Sequence, residues 1–95
     1  MNLTDVVLHR ARMEPDAVAL VDGDQTVRYA DLDRAIRIAA AALAERGVGE
    51  NSVVAMEVRS VPLHLIMALA VARLRAISTP VPDGTRFEQR VEILR

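Results

Sequence analysis

The chain has 95 residues, a formal net charge of −1 and no cysteine. This length corresponds to one small domain or to part of a larger one, and the lack of cysteine excludes disulfides, thiol catalysis and thiolate metal sites. Acidic and basic residues alternate without forming a basic stripe, so the composition gives no support to nucleic-acid binding.

The first predicted element is a helix over residues 4–12. Thr4 is its expected N-cap, and Val7 lies on an apolar face together with residues 8 and 11. Pro15 ends the helix, because the residue before a proline is disfavoured in helical conformation. Charges in the first turns and the lack of a long apolar run argue against a secretory signal, so we expect a bacterial-type cytoplasmic protein.

A β-hairpin is predicted next, with strands over residues 17–21 and 25–29. The turn between them is Asp22-Gly23-Asp24, in which glycine supplies a positive φ. Its two carboxylates also suggest a metal site, but a hairpin turn explains both aspartates and the glycine.

A long amphipathic helix follows the hairpin and stops at Gly47. Asp31, Asp33, Arg34 and Arg37 are interpreted as its solvated side, with Asp33–Arg37 as an i,i+4 ion pair, and the alternative is a charged docking face. Apolar residues at helical spacing form its core face: Leu32, Ala35, Ile36, Ala39, Ala40 and Leu43.

The next predicted unit is strand, helix, strand. Asn51 is expected to adopt a left-handed conformation in the turn before a buried strand over residues 53–56. Ser60 caps the following helix, which tolerates Pro62 in its first turn, extends to residue 74 and is too short to span a bilayer. A strand over residues 77–81 comes next, and Pro80 near its end indicates a sheet edge or the exit of the chain from the strand.

A last helix is predicted over residues 86–95, capped by Thr85. Its apolar face would carry Phe87, Val91 and Leu94. No stop signal follows Leu94, so we expect the segment to be truncated relative to longer homologous chains.

The order of these elements resembles the N-terminal region of the acyl-adenylate-forming ligases, a family that includes acyl-CoA synthetases, adenylation domains of nonribosomal peptide synthesis and firefly luciferase. The resemblance runs from Val6 to Leu94 and is carried by the stretch DAVALVDGDQTVRYADLDRAIRIAAAALAERGVGENSVVAMEV. Two positions depart from the family pattern. Arg28 replaces a threonine, so that a likely helix cap is lost and Tyr29 or Asp31 side-chain contacts must compensate. Arg75 replaces a glycine, so that the apolar helix must stop by another geometry.

The resemblance implies an α/β fold with a mixed sheet, an N-terminal β-hairpin followed by βαβ units, and helices on both faces. It makes residues 1–95 a single partial domain, the N-terminal part of the large subdomain of a ligase. The implied parent is an acyl-CoA-synthetase-like enzyme that uses ATP, Mg and CoA, whereas the chain alone, which has no lysine for the family's late catalytic position, is expected to be inactive. The alternatives are a free-standing interaction or assembly module derived from such a ligase, and a flavodoxin-like domain of unrelated ancestry.

No residue of the chain is predicted to be catalytic, cofactor-binding or metal-ligating. His64 lacks a second histidine or a carboxylate at i+3 or i+4, so we interpret it as an edge residue, and His9 as a surface residue. Gly47 and Gly49 lack the GK[ST] signature of a phosphate loop. Because 52% of the residues are hydrophobic, we expect apolar surface that packs on the remainder of a ligase chain or on a second copy of this chain.

Overall fold

A computed structural model describes residues 3–58, 60–80 and 89–94. The elements follow the predicted order as far as the fourth strand. They are α1 (Leu3–Met13), β1 (Val18–Asp22), β2 (Gln25–Arg28), α2 (Tyr29–Glu45), β3 (Val53–Val58), α3 (Val61–Arg73), β4 (Ile77–Pro80) and β5 (Gln89–Leu94).

The hairpin prediction is confirmed. β1 and β2 pair antiparallel, with Asp22 opposite Gln25 and an irregularity between Val18 and Leu20. Gly23 has a φ of 59°, a left-handed conformation that glycine adopts without steric cost. The metal-site alternative gains no support, because no group of three or more His, Asp or Glu side chains among the described residues is placed to hold an ion.

α2 starts without a side-chain cap. Arg28 occupies the N-cap position and makes no capping hydrogen bond. Instead, the backbone N–H of Tyr29 donates to the Ala17 carbonyl at 3.0 Å, and that of Ala30 donates to the Pro15 carbonyl at 3.0 Å. The Tyr29 ring also contacts Arg10, whose guanidinium carbon lies 5.5 Å from the ring centroid, and the expected compensation by Tyr29 or Asp31 side-chain contacts stays a prediction. The chain just before β1 satisfies two of the free N–H groups of the helix start.

β3 is the central strand of a three-stranded sheet of order β4-β3-β5. It is parallel to β4, which it reaches through α3, and antiparallel to β5. α3 contacts β3 and β4, while α1 and α2 contact α3 and each other. The predicted mixed α/β fold with an N-terminal hairpin and a βαβ unit is confirmed, as is the edge position of β4 with Pro80 at its end. The placement of helices on both faces of the sheet stays a prediction.

The helix predicted over residues 86–95 is wrong where the structure describes it. Residues 89–94 form β5, whose six residues pair with Val53–Val58. Val91 and Ile93 alternate with charged residues in a period-2 pattern that competes with the helical spacing of Val91 and Leu94. Pairing with the open edge of β3 decides between the two, because it satisfies backbone groups that would otherwise be left unpaired. Residues 86–88 and 95 lie outside the described residues.

Both long helices end in the same hydrogen-bonded motif, known as the Schellman motif. At α2, Gly47 N donates to Ala44 O at 3.0 Å and Val48 N to Leu43 O at 3.1 Å. At α3, the corresponding bonds join the backbone N–H groups of residues 75 and 76 to the carbonyls of residues 72 and 71, each at 3.0 Å. Arg75 has a φ of 59°. The expectation of another geometry at Arg75 is therefore wrong, because the arginine adopts the left-handed conformation that the family's glycine would supply.

The two turns that precede β3 and β4 are bonded to each other. Asn51 has a φ of 67°, as predicted, and its N–H donates to the Arg75 carbonyl at 3.1 Å. Ile77 N also donates to the Ser52 carbonyl at 2.7 Å. These two bonds align the amino ends of the parallel strands.

Replacing Arg75 with glycine is expected to raise the free energy of unfolding by about 1 kcal/mol. A non-glycine residue in the left-handed region costs about 1–2 kcal/mol, part of which is offset by the greater unfolded-state entropy of glycine. Urea titration followed by circular dichroism measures the change. The matched control is Gly47→Ala, which is expected to destabilise by a similar amount because Gly47 has a φ of 93°. An unchanged midpoint for Arg75→Gly would contradict the strain argument.

The core lies where the three helices and β3 meet. Ile36 of α2 and Val54 of β3 are fully buried. The buried cluster consists of Val7, Leu32, Ile36, Ala40, Leu43, Val48, Val54, Met56, Leu69, Ala70 and Val71. Its side chains are mostly small and aliphatic, which allows the helices to approach each other closely.

Candidate functional site

A cleft opens at the carboxyl ends of the parallel strands β3 and β4, and we call it the strand-end cleft. Met56, His64, Ser78 and Thr79 line its volume of about 220 Å³. In α/β sheets this edge is the usual place for ligands, because loops and helix starts converge there. The cleft is therefore the first candidate site of the described chain.

Local sequence explains how His64 reaches this cleft. The Ser60 hydroxyl accepts a hydrogen bond from Leu63 N at 3.4 Å and caps α3, with Pro62 in the first turn as predicted. The next turn places His64 at the helix surface, where its side chain is exposed. This position agrees with the interpretation of His64 as an edge residue. One imidazole and two hydroxyl groups can hold a small polar group by hydrogen bonds. Among the side chains that the structure describes, the lining includes no carboxylate to orient or activate the imidazole.

A second polar cluster joins the three helices, and we call it the helix-junction network: Thr4, Asp33, Arg37 and Arg73. Asp33 is only 5% exposed. Its Oδ1 accepts from an Arg73 terminal nitrogen at 3.0 Å, and its Oδ2 accepts from Arg37 Nε at 3.1 Å. Arg73 Nε also donates to the Thr4 hydroxyl at 2.9 Å. α1, α2 and α3 are thus tied together by charge-assisted hydrogen bonds.

This network corrects two sequence interpretations. Asp33 does not lie on the solvated side of α2, because α1 and α3 pack on both sides of that helix and widen its buried face. Thr4 is not the N-cap of α1, since the helix already includes Leu3 and the Thr4 side chain is buried. The predicted Asp33–Arg37 pair is confirmed. The contact of Asp33 with Arg73 was not predicted from the sequence.

A third feature lies between α1 and α2 next to this network. It is a cleft of about 320 Å³ lined by Leu8, Ala11, Arg12, Ala30, Asp33, Arg34 and Arg37. We call it the arginine cleft. Arg12 lines it from α1. Arg34 and Arg37 line it from α2, where they are three residues apart and therefore lie on one helix face.

The remaining sequence candidates are not assembled into a site. His9 is exposed on α1, as predicted. Gly47 ends α2, and Gly49 N donates to the Ser52 hydroxyl at 2.9 Å in the turn before β3. Within residues 3–58, 60–80 and 89–94, no helix is long and apolar enough to cross a membrane.

Comparisons with known proteins identify relatives along most of the chain. A 4-chlorobenzoate–CoA ligase of Arthrobacter sp. is 32% identical over 93 residues, which are 96% of this chain and 18% of the ligase. The nonribosomal peptide synthetase asaC of Aspergillus flavus is 30% identical over 86 residues, which are 90% of this chain and 8% of that protein. The chain therefore spans less than a fifth of the length of either relative.

A solved structure shows the same fold. The N-terminal subdomain of Klebsiella oxytoca NpsA, in complex with 3-hydroxybenzoyl-AMSN, superposes with a TM-score of 0.79 at 24% identity. The match covers 88% of this chain and 21% of that structure. The family model described as AMP-binding enzyme matches residues 7–95. This chain therefore belongs to the family of AMP-binding enzymes, the adenylate-forming ligases.

Proposed function

We propose that residues 1–95 form the N-terminal part of the large subdomain of an acyl-CoA-synthetase-like ligase. The parent reaction joins a carboxylate to the α-phosphate of ATP, releases pyrophosphate, and then passes the acyl group to a thiol with release of AMP. The observation that carries the proposal is the family match over residues 7–95, together with coverage of only 18% of a CoA ligase.

The side chains that line the described clefts do not fit Mg. Mg prefers carboxylate and phosphate oxygens, but the described side chains of the strand-end cleft offer two hydroxyls, an imidazole and a thioether. Asp33, the one carboxylate among the described residues that line the arginine cleft, already holds two guanidinium groups. We therefore derive no catalytic step from this chain. Its proposed contribution is a rigid α/β layer on which the rest of the ligase packs.

The purified 95-residue chain is expected to show no ATP–pyrophosphate exchange above a protein-free blank with any carboxylic acid tested. The physical reason is the lack of a lysine and of a phosphate loop in its sequence. Release of label from pyrophosphate into ATP measures the reaction. A complete CoA ligase assayed with its own acid provides the positive control. Acid-dependent exchange by this chain would refute the proposal that residues 1–95 contribute no catalytic step.

Exposed apolar side chains support a role in packing on further polypeptide. They occur on α1, β1, α2, α3 and β4, at Leu3, Met13, Val21, Ile38, Val61 and Ile77, each more than half exposed. The same surface supports the second candidate function, that of a non-catalytic interaction or assembly module derived from a ligase. A cytoplasmic, bacterial origin, expected from the composition, remains part of either proposal.

The isolated chain is expected to self-associate, because a second copy can cover the apolar side chains that the remainder of a ligase would cover. Light scattering after size exclusion should give a mass that rises above 10.4 kDa with concentration. Ile38→Gln should weaken the association, whereas the conservative Ile38→Val should not. A constant monomer mass at every concentration would count against this expectation.

A further inference from the structure

The arginine cleft concentrates positive charge in a chain whose formal net charge is −1. Three arginines and one aspartate line it, so that the lining carries two net positive charges. Both oxygens of Asp33 are already engaged, one by Arg73 and one by Arg37. The aspartate therefore neutralises little of the charge that Arg12 and Arg34 add.

The guanidinium groups around the cleft retain free hydrogen-bond donors. Arg37 uses its Nε for Asp33, and its side chain is 64% exposed. Arg12 and Arg34 make no ion pair within the part of the chain that the structure describes, in contrast to Arg10, which pairs with Glu14 at 2.8 Å. Like charges placed together without a counter-charge repel each other, and a bound anion relieves that repulsion.

Apart from Asp33, the residues of the cleft floor, meaning the less exposed part of its lining, are apolar. Leu8 and Ala11 of α1 and Ala30 of α2 are half-buried there. The volume of about 320 Å³ lies at the lower end of the range for small-molecule sites. A ligand that fits both the rim and the floor combines an anionic head with a short apolar group.

We propose that the arginine cleft binds a phosphate monoester with a small apolar substituent. A phosphate dianion matches the two net positive charges of the lining, and its three terminal oxygens suit guanidinium groups that approach from α1 and α2. A monocarboxylate would leave one positive charge unmatched. This site is independent of the function proposed above, because it depends only on residues of this chain.

The test is a ¹H–¹⁵N NMR titration of the 95-residue chain with phenyl phosphate at low salt. Saturable shifts are expected for the amides of Ala11 and Ala30 and for the Nε–H groups of Arg12, Arg34 and Arg37. Benzoate, the monoanion of similar shape, should bind more weakly, and neutral benzyl alcohol should cause no saturable shift. Added salt should weaken the binding, since the groups are exposed.

Arg34→Gln and Arg12→Gln are each expected to weaken phenyl phosphate binding about tenfold, the loss of one charge-assisted contact. Arg75→Gln removes the same charge at a residue that does not line the cleft, and it should change the dissociation constant less than about twofold, because salt screens an exposed charge that makes no direct contact with the ligand. All three positions are exposed, so the variants should unfold at the temperature of the unmodified chain. The proposal is overturned if no saturation occurs, if the shifts map outside the cleft, or if Arg75→Gln weakens binding as much as Arg34→Gln.

Discussion

Replacing Asp33 with asparagine is expected to lower the free energy of unfolding by about 2–3 kcal/mol, because it leaves a partly buried arginine without its counter-charge. The side chain of Asp33 is 7% exposed and that of Arg73 is 21% exposed, so water compensates only in part. For a domain of this size such a loss lowers the melting temperature by roughly 4–8 °C per kcal/mol. Differential scanning calorimetry measures the shift.

Asp31→Asn is the matched control for this prediction. Asp31 lies two residues earlier in the same helix, in its first turn, and is exposed. Its loss should cost only the interaction with the helix dipole, about 0.3–1 kcal/mol. Equal effects of the two substitutions would show that the helix-junction network does not hold the helices together.

The two arginines that bind Asp33 should also differ in their contribution to the free energy of unfolding. Arg37→Gln removes an i,i+4 pair whose arginine is 64% exposed, so we expect a loss of about 0.3–0.5 kcal/mol. Arg73→Gln is expected to cost more, because it leaves Asp33 buried and removes the bond to Thr4 as well. A larger loss from Arg37→Gln than from Arg73→Gln would reverse the assigned roles of the two guanidinium groups.

Features set by neighbouring residues were predictable from the sequence. The hairpin turn at Gly23, the cap at Ser60 and the left-handed Asn51 each follow from the conformational preference of one residue and its immediate context. The boundaries of α2 and α3 follow from apolar periodicity combined with such signals. In these segments local preference and tertiary packing favour the same conformation.

Features set by distant residues were not predictable in the same way. Asp33 binds Arg73, which lies 40 positions further along the chain, and nothing near either residue marks the pair. One signal was present, because Asp33 precedes Ile36 by three residues and Ala40 by seven and thus continues the buried stripe. A charged residue on such a stripe calls for a partner on the packed helix.

The strand β5 and the conformation of Arg75 also depend on residues that are distant in the sequence. Residues 89–94 satisfy a strand pattern and, in part, a helix pattern, and the open edge of β3 selects the strand. Arg75 tolerates a positive φ because the hydrogen bonds of the helix end and the bond from Asn51 hold its peptide in place. Among the residues of the three clefts and clusters, His64 was singled out beforehand, and so were Asp33, Arg34 and Arg37 as a charged side of α2. The helix-junction network and the arginine cleft arise from contacts between helices.

Replacing Ile36 with alanine is expected to have the largest effect of any substitution considered, a loss of about 3–4 kcal/mol in the free energy of unfolding. Ile36 is fully buried in the core cluster, so truncation removes its transfer free energy and leaves a cavity that rigid neighbours fill only in part. Small domains have total stabilities of roughly 5–15 kcal/mol, so the variant would be partly unfolded at elevated temperature.

Ile38→Ala is the control, since it changes the same residue type two positions later in the same helix. Ile38 is 64% exposed, so its truncation removes little buried area. The higher helix propensity of alanine offsets part of the remaining loss in the free energy of unfolding, by a few tenths of a kcal/mol. Urea titrations at low protein concentration, where self-association does not contribute, should separate the two variants by about 3 kcal/mol. Equal losses would mean that α2 presents a different face to the core, and the orientation of Asp33 and of the arginine cleft would then be wrong as well.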